Sequence, residues 1–196
     1  GFGTLAAHGH ADALSIQAFA HGKKILTDPG TWNYHLCENL RDLLRSTEWH
    51  STAYVTGRNQ SEILGPFLWG RRAQTRLLDA REGEDGVTLC AQTQYGGITH
   101  TRTLHFDGGR ILSIEDAFEG LAPTDEARVN FSLPPDVRIE IDGSRCLVTG
   151  AGGETAFTAV GGGSWEKADY VYSPAYNHRR DAARIVTASR KNEIRF

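Results

Sequence analysis

Apolar and polar residues alternate with a period of two over much of this chain. Val87-Leu89-Ala91, Leu112-Ile114, Val129-Phe131-Leu133 and Val137-Ile139-Ile141 each put apolar side chains at every second position, the spacing that lines one face of a β-strand. Between such runs stand Asp107-Gly108-Gly109, Asp142-Gly143, Gly150 to Gly153 and Gly161-Gly162-Gly163, turn residues that allow the chain to reverse. Leu14 to Ala20 begins another alternation, and His21-Gly22-Lys23-Lys24 reads as a turn into Ile25-Leu26, so a hairpin is expected there. One segment breaks the pattern. Leu36, Leu40 and Leu43/Leu44 recur at helical spacing across Tyr34 to Leu44, which predicts a short helix near the N-terminal third. Short strands with glycine-rich turns and little helix argue for an all-β sandwich or barrel rather than a βαβ fold.

The first quarter of the chain carries the candidate chemistry. His10, Asp28 and His50 offer two imidazole nitrogens and a carboxylate, a donor set that suits zinc and leaves a fourth tetrahedral position open. Asp28 follows the apolar pair Ile25-Leu26 and precedes Pro29-Gly30, so it is expected where a strand runs into a tight turn. If His8-Gly9-His10 is extended, both imidazoles project from one face, and His8 is then the spare group beside a metal ligand. Spacing alone leaves a solvated or hydrogen-bonded structural role open for each of these residues.

Charge and composition narrow the classes. The chain has 196 residues and a formal net charge of −3, one domain by size and without the basic field that would recruit nucleic acid or anionic lipid. A polyanionic partner would need a local patch, for which Arg41, Arg45, Arg58, Arg71 and Arg72 are the candidates. Cys37, Cys90 and Cys146 are far apart and odd in number, so buried thiols are expected rather than a disulfide framework. No apolar run is long enough to span a bilayer. The chain opens at Gly-Phe-Gly-Thr and holds no methionine, from which an excised domain is expected. A cupin would place glutamate after the second histidine, where Leu14 and Ser15 stand. A serine hydrolase would show Gly-x-Ser-x-Gly, which does not occur.

Four motifs in order carry a resemblance that extends over residues 1–196: Ala7-His8-Gly9-His10-Ala11-Asp12-Ala13-Leu14-Ser15, Leu26-Thr27-Asp28-Pro29-Gly30-Thr31, Arg45-Ser46-Thr47-Glu48-Trp49-His50-Ser51-Thr52 and Gly57-Arg58-Asn59-Gln60-Ser61-Glu62. Weaker echoes follow at Ile114 to Gly120, Asn130 to Pro135 and Tyr172 to Tyr176. The chain resembles the C-terminal domain of the heparinase II/III-like polysaccharide lyases. That resemblance implies an antiparallel β-sandwich following an α/α-toroid domain, which would lie upstream of this sequence. It also implies β-elimination on a uronate-containing acidic polysaccharide, with a tyrosine and a histidine or asparagine supplied by the toroid.

Carried onto this chain, the resemblance makes His8 the catalytic histidine of the cleft and His10, Asp28 and His50 the ligands of a structural zinc. Arg45 could meet an acidic sugar with a bidentate fork, and capping or pairing with Glu48 or Asp42 is the alternative. The toroid-facing surface is expected to include Trp32, Tyr34 and Trp49, and the isolated domain to be inactive. Ser51, Ser132 and Asn177 depart from the common pattern of asparagine, histidine and glycine, which leaves heparin-like, alginate-like and bacterial exopolysaccharide substrates open. A bacterial periplasmic setting is favoured over a cytoplasmic one. The rival expectation is a non-catalytic, zinc-stabilised module that binds glycan or packs against a partner domain.

Overall fold

A computed structural model describes residues 6–34 and 38–196. The first strands, β1 (Ala18–Ala20) and β2 (Lys23–Leu26), form the expected hairpin. Its turn is His21-Gly22, with φ of 50° and 72°, the left-handed pair that a two-residue hairpin loop requires. Helix α1 (Glu38–Leu44) follows; Leu36 and Cys37, which entered the expectations above, lie outside the described residues. After a single 3-10 turn at Thr47–Trp49 the chain is almost all strand: β3 (Ala53–Val55), β4 (Ile63–Gly65), β5 (Leu68–Trp69), β6 (Gln74–Gly83), β7 (Gly86–Tyr95), β8 (Ile98–Phe106) and β9 (Ile111–Glu119). The remainder comprises β10 (Ala127–Ser132), β11 (Arg138–Asp142), β12 (Arg145–Gly150), β13 (Gly153–Val160), β14 (Glu166–Ala175), β15 (His178–Thr187) and β16 (Lys191–Arg195).

These strands build two antiparallel sheets. The larger has the order β11-β12-β13-β16-β9-β8-β7-β6 and the smaller β14-β15-β10-β3, while β1-β2 and β4-β5 are separate hairpins. The core lies between the sheets. Val129, Phe131, Leu133 and Ile185 from the smaller meet Ile114, Cys146, Phe157 and Ile194 from the larger, all nearly inaccessible. Phe131, Phe157 and Trp165 stack around one another with centroids 5.6 to 6.2 Å apart, and the Trp165 indole N–H donates to Ser144 O at 3.0 Å, so the ring is buried without an orphaned donor.

The alternation at Val87 and Leu89 lies in β7 as expected, and its apolar face is not buried along its whole length. Val87 and Leu89 are 37% and 41% exposed, whereas Thr93 and Tyr95, on the same face of β7, are buried. A four-stranded sheet covers only part of an eight-stranded one, so one strand face is dry at one end and wet at the other. Ile141 on edge strand β11 is likewise 38% exposed. Among the described residues no helix is long and apolar enough to cross a membrane.

Replacing Phe131 with alanine removes the ring at the centre of the aromatic cluster, and the loss of transfer energy plus an unfilled cavity should destabilise the fold by about 3–5 kcal/mol. Urea denaturation of wild type and variant measures this directly; a loss under about 1 kcal/mol would show that the sandwich does not depend on that contact.

Candidate metal centre

Three irregular segments at one end of the sandwich bring His10, Asp28 and His50 together. Asp28 lies two residues past β2, where Pro29 and Gly30 turn the chain. The Gly30 N–H donates to Asp28 Oδ1 at 2.8 Å, which leaves Oδ2 aimed at His50 Nε2, 3.5 Å away. Gly30 has a φ of 75°, and a Cβ there would lie 2.1 Å from the Ser173 carbonyl, so the turn that aims the carboxylate admits only glycine. His50 follows the 3-10 turn and is buried; its Nδ1–H donates to Ser46 O at 2.7 Å, which places the lone pair on Nε2.

His10 Nδ1 faces that lone pair at 3.0 Å, while its Nε2 lies 3.3 Å from Thr31 Oγ1. The two rings meet edge to face. In the metal-free protein an N–H on His10 Nδ1 makes this hydrogen bond; a metal ion would replace that proton and meet both lone pairs. Two donors on one tetrahedral zinc stand about 3.3 Å apart, given ligand bonds near 2.0–2.1 Å. The observed separations of 3.0 and 3.5 Å bracket that value, and all three ligand atoms lie within 4.8 Å of one another. The group could hold a metal ion.

The electrostatics favour the neutral imidazoles a metal needs. Burial, reinforced by His50, lowers the His10 pKa from 6.5 to about 4, against the opposing pull of Asp28 and Asp12. Burial also lowers that of His50, with Asp28 and the Ser46 carbonyl opposing. The neighbouring Asp12 carboxyl is pushed up by burial, with His10 opposing.

Two of the ligands, His10 and Asp28, line a cavity of about 630 Å³ together with His8, Asp12 and Arg72, while His50 is buried. His8 does not sit on an extended strand as expected. Residues 7 and 8 form a turn, closed by the Gly9 N–H donating to Ala6 O at 2.8 Å, so His8 is exposed while His10 is half-buried. His8 Nδ1 bonds to the Tyr34 hydroxyl at 3.1 Å, and its ring packs edge-on to Tyr34 and Phe67.

Arg45 is placed differently from the expectation of a sugar-binding fork. Its side chain is only 2% exposed, Nε donates to Asp42, and Nη1 and Nη2 donate to the carbonyls of Pro66 and Gly65. The guanidinium also stacks on Trp69, 4.7 Å from the ring centroid. It ties α1 to the β4-β5 hairpin, and the pairing with Asp42 is the alternative that holds. The expected basic patch thins for the same reason: Arg41 is buried over Tyr34 and Phe67, and Arg58 pairs with Asp125. Trp32, Tyr34 and Trp49 are each half-buried, Trp32 beneath Arg179 and Trp49 against Tyr170.

Sequence reasoning missed a buried cluster next to this site: His100, Arg102 and Asp116, all 3% exposed or less. Burial alone would raise the Asp116 carboxyl; Arg102 and His100 outweigh it and hold the group below the ordinary carboxylate range. The signal was present in the alternation. Arg102 falls on the inward face of Ile98-His100-Arg102-Leu104-Phe106, and Asp116 on that of Leu112-Ile114-Asp116-Phe118, charges where apolar residues are due.

The His10 shift sets a pH dependence. Its folded pKa of about 4 lies below 6.5, so between those values the unfolded chain binds the extra proton, and acid favours unfolding. With chelator present, stability should hold above pH 6.5 and fall as pH drops toward 4. Asp12, shifted upward, has the opposite sign. Urea midpoints at stepped pH for wild type and His10→Gln check this; identical profiles would mean that His10 is not desolvated.

A protein-family model described as heparinase II/III-like, C-terminal, matches residues 1–196. Among solved structures, the heparan sulfate lyase HepC from Pedobacter heparinus is similar over 96% of this chain and 31% of its own, with 19% identity and a TM-score of 0.80. The heparinase III BT4657 gene product, with methylated lysines, is similar over 95% of this chain and 30% of its own, with 17% identity and a TM-score of 0.77. These likenesses establish the fold, and the chain spans less than a third of the length of either structure. No curated protein matches it. The match along its whole length shows that the chain belongs to the heparinase II/III-like C-terminal domain family.

Proposed function

We propose that this chain is the C-terminal domain of a polysaccharide lyase that cleaves uronate-containing acidic polysaccharide by β-elimination, with zinc held by His10, Asp28 and His50 and with His8 in the substrate cleft. The observation that carries this reading is a convergent His-Asp-His group two of whose members, His10 and Asp28, line one cavity with the exposed His8, in a chain of lyase family membership. The names of the solved relatives make heparan sulfate the first substrate to test.

The elimination removes the C5 proton, forms the C4=C5 double bond with that electron pair, and breaks the C4–O4 bond as O4 takes a proton. Stabilising charge on the uronate carboxylate is the main demand, and positioned acid–base groups complete the step. His8 is the group of this chain suited to that place. The Tyr34 hydroxyl holds its Nδ1, so Nε2 is the atom that would meet the carboxylate or the moving proton. A tyrosine from an upstream toroid domain would supply the partner acid or base. When bound, the zinc would crosslink the three segments that carry its ligands. Arg45 takes no part in this proposal, because its donors are already engaged.

A second reading has one observation in its favour: the metal group is complete within this chain, while the acid–base chemistry rests on His8 alone. On that reading the domain is a zinc-stabilised module for glycan binding or domain packing.

Protein purified without chelator should contain one zinc per chain by elemental analysis, and His50→Ala should lose it. Full occupancy in that variant would rule out this ligand set. In the whole protein, His8→Ala should lower the appearance of unsaturated uronate absorbance by roughly two to four powers of ten with zinc content unchanged; retained activity would give His8 a structural role, and lost zinc would make it a ligand. The 196-residue chain alone, run beside the whole protein, should show no appreciable rate, because orientation of the reacting groups is lost.

A further inference from the structure

Arg102 on β8 and Asp116 on β9 stand directly opposite each other in register. Their fork is fully formed: Arg102 Nε and Nη2 donate to Asp116 Oδ1 and Oδ2 at 2.8 and 2.9 Å, and His100 Nε2 donates to Oδ1 at 2.7 Å. A buried ion pair is seldom more stable than well-packed apolar residues in its place, so its contribution to stability does not account for this one. The remaining Arg102 nitrogen has a different direction. Nη1 donates to the carbonyls of Leu14 at 3.0 Å and Ser51 at 2.9 Å.

Those two carbonyls belong to the segments that carry the imidazoles. Leu14 lies four residues beyond His10, and Ser51 is next to His50. Leu14 has a φ of 62°, a left-handed conformation that a leucine keeps only when its surroundings impose it. Direct contacts reinforce the junction: the Ile16 N–H donates to Ser51 O at 3.1 Å and Thr52 Oγ1 to Ala13 O at 3.3 Å. Arg102 differs from these in coming from outside both segments, and it is anchored in the rigid sheet by Asp116.

We propose that the buried Asp116–Arg102 pair is a positioning clamp for the metal centre, fixing the His10 segment against the His50 segment so that the two imidazole nitrogens stay at ligand spacing. Neither residue touches metal or substrate. The inference rests on the metal reading above.

The test is zinc titration of the 196-residue chain against a chromophoric chelator, with wild type, Arg102→Lys, Asp116→Asn and Phe157→Leu side by side. Arg102→Lys keeps the charge and loses the planar fork; Asp116→Asn keeps the shape and loses the charge. Phe157→Leu is the control, a core substitution between the sheets that lowers melting temperature without touching the clamp. Both clamp variants should bind zinc about 10- to 100-fold more weakly, the scale seen when groups that orient ligands are removed, while retaining a cooperative melt. Phe157→Leu should melt earlier with zinc affinity within about twofold of wild type. A folded Arg102→Lys or Asp116→Asn with wild-type affinity would overturn the clamp, as would an equal loss of affinity in Phe157→Leu. Failure of both clamp variants to fold would overturn it in favour of a purely structural pair. Absence of zinc binding by wild type would instead remove the metal reading and the clamp with it.

Discussion

The segment from His10 to Ile16 crosses the end of the sandwich without regular secondary structure, and its half-buried backbone must find hydrogen-bond partners elsewhere. That requirement organises much of what surrounds it. The Ala11 N–H donates to Arg45 O, and Ala13 O accepts from Thr52 Oγ1 and Gln60 Nε2. Leu14 O accepts from Arg102, and the Ile16 N–H donates to Ser51 O. The donors and acceptors come from the helix end, from the residues after His50, and from the larger sheet. Satisfying one irregular stretch therefore draws three parts of the fold to the place where the imidazoles meet.

Two of the departures from the family pattern, Ser51 and Ser132, fit into the same scaffold. Ser51 Oγ accepts from the Ser132 N–H at 3.0 Å, and Ser132 Oγ donates to Trp49 O at 2.9 Å. Asn130 adds a bond from its Nδ2 to His50 O. The residues flanking His50 are thus bonded to β10 on one side and to Arg102 on the other, and His50 Nδ1 is fixed by Ser46. A buried neutral imidazole with one nitrogen committed to a carbonyl has its other lone pair aimed in a single direction.

Features local in sequence were legible, and features that depend on distant backbone were not. The Asp28-Pro29-Gly30 turn is visible because a carboxylate before proline and glycine has few conformations, and the hairpin at His21-Gly22 is visible for a similar reason. Period two identified strands, yet it says nothing of how far a facing sheet reaches, so the exposure of Val87 and Leu89 could not be read from it. The extended arrangement of His8-Gly9-His10 is not adopted because the Gly9 N–H turns back onto the Ala6 carbonyl. Arg45 and Arg102 take backbone carbonyls as partners, Gly65 and Pro66 for one, Leu14 and Ser51 for the other, and a carbonyl leaves no mark in a sequence. Only the misplaced charges within an apolar alternation signalled the second case.

The site divides into a fixed half and an open half, and the division follows burial. His50 and the network behind it are almost inaccessible, where low dielectric strengthens each hydrogen bond and makes a lost partner costly. His8 is exposed and held by one hydroxyl and by ring contacts with Tyr34 and Phe67. Beneath those rings Arg41 lies over both, 5.1 and 4.7 Å from their centroids, and burial together with nearby Arg45 lowers its pKa. That buried positive charge is among the groups that lower the pKa of His10. The open half of the site therefore presents an imidazole whose position depends on aromatic packing, while the fixed half holds His50 through buried hydrogen bonds.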